Sequence, residues 1–136
     1  AARRRAPSVW RTRQPARPSP HAEQVVGEFG GHGLALAGHL WMEGGPTAES
    51  AAKGGNWGYG KQMRHATQLR DMYQASLAEL RVLKEKHGIA AGVYTQTTDV
   101  EGEVNGLLTY DRKVAKIDPA DLRSWHGSLV EGGFEL

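Results

Sequence analysis

Residues 92–113 read Gly92-Val-Tyr-Thr-Gln-Thr-Thr-Asp-Val-Glu-Gly-Glu-Val-Asn-Gly-Leu-Leu-Thr-Tyr-Asp-Arg-Lys113. The stretch opens as a β-branched, strand-like run and turns into an acidic loop punctuated by glycine. It closes on a short apolar segment and a polar end, Tyr110-Asp111-Arg112-Lys113. A strand that hands over to a chemically equipped loop at its C-terminal end is how an α/β enzyme carries its chemistry. The reading therefore predicts a strand over Ile89 to Thr97, followed by a functional loop.

Upstream, residues 61–87 have helical periodicity. Leu69, Met72, Tyr73, Leu77, Leu80 and Leu83 recur at spacings of three and four, which places them on one face. Arg70, Asp71, Gln74, Glu79 and Lys84 fill the other face. His87-Gly88 ends the helix with a cationic last turn and a residue that tolerates the left-handed conformation. Further back, Gln24-Val25-Val26-Gly27-Glu28-Phe29 reads as a short buried strand ending in a carboxylate. Residues 30–60 form a long Gly-rich loop holding Trp41, Trp57 and Tyr59, and a loop of that length is unusual unless it serves a site. Downstream, Asp118-Pro119 looks like an N-cap followed by proline at the first helical position. Strand, helix, strand in this order demands a parallel pair with a crossover. A two-stranded sheet under one helix is marginal alone, so the unit reads as a slice of a larger α/β fold.

Composition sets the outer bounds. At 136 residues the chain has room for one domain at most. The net charge of +2 hides an asymmetry: residues 1–20 hold six arginines and no acid, while the rest has eleven basic and fifteen acidic residues, a net charge of −4. The body is mildly acidic, which argues against a nucleic-acid surface there. Residues 1–22, rich in Arg, Pro, Ala and Ser, are expected to be a disordered extension, because they cannot bury enough apolar area to offset ordering. Residues 23–136 form the body. No cysteine is present, so disulfides and thiolate metal sites are excluded. No apolar run approaches the roughly 18 residues needed to span a membrane. No apolar segment follows the N-terminal arginines to make a secretory signal, which leaves a cytoplasmic location as the default.

The body resembles the C-terminal part of the catalytic (β/α)8 barrel of glycoside hydrolase family 2, the β-galactosidase and β-glucuronidase group. Val26-Gly27-Glu28-Phe29-Gly30-Gly31 is similar to the family's S/T-E-[FY]-G/A motif at the end of the seventh strand, where the nucleophilic glutamate sits. Thr95-Gln96-Thr97-Thr98-Asp99 resembles the eighth strand, keeping its acid and losing its tryptophan. Asn105-Gly106-Leu107-Leu108-Thr109-Tyr110-Asp111-Arg112-Lys113 is similar to the run that leads to the last helix. The resemblance covers about residues 24–125 and implies strands seven and eight of a barrel with their helices. A complete barrel needs roughly 250 residues, so the resemblance implies a truncated or frameshifted fragment, with residues 1–22 either genuine or read out of frame. The missing partner is the N-terminal part of the barrel, and the isolated chain is expected to be inactive.

What the resemblance implies about residues is specific. Glu28 is the candidate nucleophile of a retaining hydrolase that needs no cofactor or metal. The general acid belongs to an Asn-Glu pair that this chain does not contain. Trp41, Trp57, Tyr59, Gln96, Asp99 and Asn105 are the candidate substrate-binding residues. Glu103-Val104-Asn105 stands where β-glucuronidases carry an N-x-K pair that reads the sugar carboxylate, which points to neutral β-linked sugars.

The residues leave other readings open. Trp41, Trp57 and Tyr59 could stack on sugar faces or anchor the loop. Asp99, Glu101 and Glu103 could bind hydroxyls or a cation, or form a solvated acidic loop. His32, His39 and His65 lack metal-ligand spacing. Gly55-Asn56-Trp57-Gly58-Tyr59-Gly60-Lys61-Gln62 fits most of a phosphate-binding loop, but Gln62 replaces the Ser or Thr that would ligate magnesium. The competing function is a non-catalytic protein whose arginine-rich arm binds nucleic acid or acidic partners through charge.

Overall fold

A computed structural model describes residues 24–41, 58–60 and 62–130. The expected extension over residues 1–22, Trp57 and half of the phosphate-loop-like stretch lie outside the described residues. Four regular elements follow one another: β1 (Gln24–Gly30), α1 (Ala66–His87), β2 (Ile89–Thr95) and α2 (Pro119–Val130). The protein is mixed α/β, with β1 and β2 paired in parallel.

Helix α1 starts without a side-chain N-cap at His65. Gln68 supplies the bond from inside the first turn, its Oε1 accepting from the Arg64 N–H at 2.8 Å. Gly88 ends the helix in the left-handed conformation (φ 65°), with its N–H bonded to the Lys84 carbonyl, as the sequence indicated. The buried stripe is Leu69, Tyr73, Ser76, Leu77 and Leu80. Met72, expected on this face, is instead 40% exposed, because it sits about 100° around the helix from Tyr73. Ser76 takes a core position because its hydroxyl bonds His32 Nε2 at 2.8 Å.

The strands bury one face against α1. Val26 pairs with Gly92, and a Cβ on Gly92 would come within 2.9 Å of the Leu80 side chain. The missing side chain is what lets the helix approach the sheet. Side chains alternate along a strand, so Val25 and Val93 point away from α1, and each is 54% exposed. Between Val26↔Gly92 and Phe29↔Tyr94 strand β1 spends one residue more than β2. Gly27-Glu28 is therefore a β-bulge, a feature that re-aims a side chain out of the ladder's alternation. β2 ends at Thr95, two residues short of the expected Thr97.

Helix α2 begins as the sequence predicts. Asp118 Oδ1 accepts from the Ala120 N–H at 2.8 Å, with Pro119 as the first helical residue. It lies alongside α1 in the same direction. Arg70 pairs with Asp121 at 3.1 Å and sits 5.6 Å from the Trp125 ring. Tyr73 Oη bonds His126 Nε2 at 2.7 Å. At the far end Arg81 donates to the Ser128 carbonyl at 2.8 Å and Lys84 to that of Leu129 at 2.7 Å. The last turn of α2 has no basic residue of its own, so α1 supplies the donors for its unsatisfied carbonyls. Phe29, Leu34, Leu69, Tyr73, Leu77, Leu80 and Ile117 are buried together, and Tyr94 of β2 with Leu122, Trp125 and Leu129 of α2 pack against them partly buried. Among the described residues no helix is long and apolar enough to cross a membrane.

Two consequences can be measured. Parallel sheets normally have both faces covered and open edges promote pairing between chains. The isolated chain should therefore associate at micromolar concentration on size-exclusion chromatography, and Val25→Lys with Val93→Lys should reduce that association. A monodisperse native monomer would refute the first expectation.

Burial also raises the Tyr73 phenol to about 12 and pushes Tyr94 up further, against an ordinary value of about 10. The native state then keeps protons that the unfolded chain gives up. The tyrosine contribution is complete below about pH 10 and declines as pH rises from about 10 to about 12. Urea midpoints measured from pH 9 to 12 should fall across that window, whereas a flat profile would contradict the burial.

Candidate active site at the carboxyl ends of the strands

The bulge puts Glu28 in solvent at the C-terminal end of β1. Two glycines at positive φ, Gly30 (90°) and Gly31 (75°), then turn the chain across the end of β2. The Gly31 N–H bonds the Thr95 carbonyl at 2.8 Å, and the Gly31 carbonyl accepts from the Tyr59 N–H at 2.7 Å. The Tyr59 ring lies directly on Gly31, where a Cβ would overlap it. The Glu28 carboxylate, and after it burial, raises the Tyr59 pKa. The Glu103 charge raises it further, so both carboxylates act on one phenol.

The other half of the site comes from the end of β2. Gln96 follows the strand directly, and its Nε2 donates to Glu103 Oε2 at 2.9 Å and to Asn105 Oδ1 at 2.7 Å. The main chain holds the pair in place, with Gln96 N–H on the Asn105 carbonyl at 3.2 Å. A tight turn presents Glu103: Val100 and Glu103 exchange backbone bonds at 3.1 and 2.9 Å, with Glu101 at φ 51°. Asn105 is fully buried, and its Nδ2 has no hydrogen-bond partner among the described residues. The half-buried Glu103 carboxylate is the acceptor this cluster offers a ligand, while the Asn105 amide is shut off from solvent and braces Gln96.

Of the sequence-predicted site residues, Gln96 and Asn105 meet directly at the end of β2, while Glu28 ends β1 and Tyr59 lies on the turn that follows it. Asp99 does not join them as a surface acceptor. It is buried, with the Lys116 ammonium 2.7 Å from Oδ1 and the Gly106 N–H on the same oxygen at 2.8 Å. The expectation of a uniformly solvated acidic loop fails at this residue, since only Glu101 of the three acids is exposed. Burial pushes Asp99 up and Lys116 down, and each holds the other back. Lys116 Nζ also donates to the Leu34 carbonyl at 2.7 Å and the Val104 carbonyl at 2.9 Å. Three acceptors need three protons, which only the ammonium form has. Sequence reading passed over Lys116; its one signal is a lone cation inside Val114-Ala115-Lys116-Ile117.

Trp41 stands in a different environment. It is 59% exposed and packs edge-on against Tyr110, with ring centroids 5.7 Å apart. Nearby in sequence, His39 Nδ1 and Asp111 Oδ2 are 2.8 Å apart. The Thr109 hydroxyl, and then His39, hold the Asp111 carboxyl well below the usual carboxylate range. His32 is buried against Ser76, and burial pushes its pKa down. Among the described residues no three His, Asp or Glu side chains converge to hold a metal ion.

No family model and no curated protein matches this chain.

The buried pair supports a stability test. Lys116→Met leaves the buried Asp99 carboxylate without its counter-ion and the Leu34 carbonyl without the ammonium, and should cost about 3–5 kcal/mol in urea unfolding. Adding Asp99→Asn should recover part of that loss. A cost below about 1 kcal/mol would show that the pair is dispensable.

Proposed function

We propose that this chain carries the last two strand–helix units of the catalytic (β/α)8 barrel of a retaining β-glycosidase. The sequence resemblance to glycoside hydrolase family 2 motivates this reading. The observation that carries it is the placement of Glu28 and Tyr59 at the end of β1, and of Gln96, Glu103 and Asn105 at the end of β2, the carboxyl ends of two parallel strands and the end at which barrel enzymes build their sites. Apolar grooves support the barrel reading. One of about 740 Å³ runs past Ala90, Ala91 and Val93 toward Leu129. Another of about 660 Å³ lies by Gln24, Val26, Val82 and Leu83. Each groove sits along a strand, where a neighbouring strand–helix unit of a barrel would pack.

In this reading the ionised Glu28 carboxylate attacks the anomeric carbon. The bond to the leaving oxygen breaks as a general acid outside this chain gives that oxygen a proton. Water, activated by the same acid acting as base, then hydrolyses the glycosyl ester. Glu103 and Gln96 would read sugar hydroxyls, with the buried Asn105 holding Gln96 through its Oδ1. An acidic site suits a neutral sugar, because an anionic ligand would face two carboxylates across a short distance.

The test uses the complete barrel that carries these residues. Glu28→Gln keeps the shape and removes the nucleophilic charge, so turnover of aryl β-galactosides or β-glucosides should nearly vanish. A mechanism-based fluoro-sugar should label Glu28. Labelling of Glu101 or Glu103 would refute the assignment, as would hydrolysis unaffected by the substitution.

A further inference from the structure

We propose that Glu103 is the specificity-determining residue at the end of β2, accepting from one ligand group that must be a hydrogen-bond donor; this rests on, and sharpens, the sugar-cleft reading above. Three side chains set the polarity there. Gln96 Nε2 lies 2.9 Å from Glu103 Oε2 and 2.7 Å from Asn105 Oδ1. A carboxylate oxygen accepts, so the Gln96 atom facing it is the amide nitrogen and not the carbonyl oxygen. That nitrogen has two protons, and both are spent, one on Glu103 and one on Asn105. The Asn105 nitrogen is fully buried, out of a ligand's reach. Among these three side chains no donor is left for a ligand. What remains is acceptor: Glu103 Oε1 and Gln96 Oε1 have no hydrogen-bond partner among the described residues, on side chains that are half-buried.

The acceptor is also held still. Glu103 leaves a turn closed by both of its backbone bonds to Val100, and the chain then dives into Val104 and Asn105, 1% and 0% exposed. Gln96 is tied through its main chain on both sides, its N–H to the Asn105 carbonyl at 3.2 Å and its carbonyl to the Leu107 N–H at 3.0 Å. Its amide cannot flip without setting an oxygen against Glu103. Thr95 pairs with Gly30, so Gln96 leaves the sheet beside the turn that follows Glu28, and neighbouring strands lie about 4.8 Å apart. A sugar bound at one strand end is within reach of the other. A fixed acceptor rejects a ligand that brings no donor, because binding then leaves it desolvated and unpaired. Charge adds a second preference, since an ammonium donates as a hydroxyl does and carries the opposite sign. Fluorine and a methyl ether oxygen bring no proton at all. The group that Glu103 reads is therefore a hydroxyl or an ammonium at one ring position.

The test is equilibrium binding of non-hydrolysable thioglycosides to the complete barrel enzyme, with each ring hydroxyl replaced in turn by fluorine, methoxy or amine. At one position fluorine and methoxy should each weaken binding about 10- to 100-fold while the amine binds at least as well as the hydroxyl. In Glu103→Gln, which keeps the length and removes the charge, that spread should shrink to about threefold or less and the tolerance of the amine should vanish. The analogue series on unaltered protein is independent of any folding defect in the variant. In the chain itself, the ¹⁵N signal of the Gln96 side-chain amide should move in Glu103→Gln, and a signal that stays in place would break the lock. A fluorine penalty that survives in Glu103→Gln would overturn the proposal, as would an amine rejected as strongly as fluorine or a series with no discriminating position. Binding of no thioglycoside would bring down the sugar reading and this inference together. Full turnover in Glu28→Gln with the Glu103 dependence intact would sink the nucleophile assignment alone and leave this one standing.

Discussion

The Lys116 ammonium is the point on which the described structure turns. Its three protons go to the Leu34 carbonyl, Asp99 and the Val104 carbonyl. These belong to the loop after β1 and to the long loop after β2. No hydrophobic side chain could join three such groups, because each is a polar atom already removed from water. A buried ion pair is weak evidence for stability in general, since desolvation offsets much of the attraction. Here its value is in location: one cation fixes the spacing of two irregular segments whose backbones make few regular ladder bonds. Glu28 and Tyr59 stand on one side of that junction; Gln96, Glu103 and Asn105 stand on the other.

The regular elements are held together differently. Apolar side chains from β1, α1 and the two loops form the core, α2 packs against it partly buried, and the α1–α2 contact adds a line of polar latches from Arg70 to Lys84. The division is physical. Helix and sheet satisfy their own backbone groups and can be joined by non-directional burial, while loops cannot and must be fixed by specific donors and acceptors. The polar cluster lies where the second kind of bonding dominates, which is why it could combine residues so far apart in the chain.

The regular elements were legible in the sequence because they rest on local rules. The spacing of Leu69, Tyr73, Leu77 and Leu80, the glycine at position 88 and the Asp118-Pro119 start each act over a few residues. Met72 shows the limit: its spacing fits an apolar stripe, but which flank of the stripe is covered depends on what packs there. Ser76 shows the converse, a polar residue buried because a histidine 44 positions away reaches it. In the site, Glu28, Gln96 and Asn105 could be picked out from strand ends and motif likeness. The burial of Asp99 could not, since its partner lies 17 residues on and no local pattern links them. The bulge was equally hidden, because register is a property of two strands and not of either one.

The end of α2 has a consequence for how the chain acquires its shape. A helix of 12 residues is marginal in water on its own, and this one lacks a terminal cation to offset its dipole. Arg81 and Lys84, from the preceding helix, close its last turn. Its helicity is therefore conditional: the carbonyls at its end find donors only after α1 is formed and docked. Assembly is accordingly hierarchical, with the longer helix as template and the shorter one completed upon it. A break in α1 near Arg81 would be felt as fraying some 47 residues away, in a segment whose own sequence is unchanged.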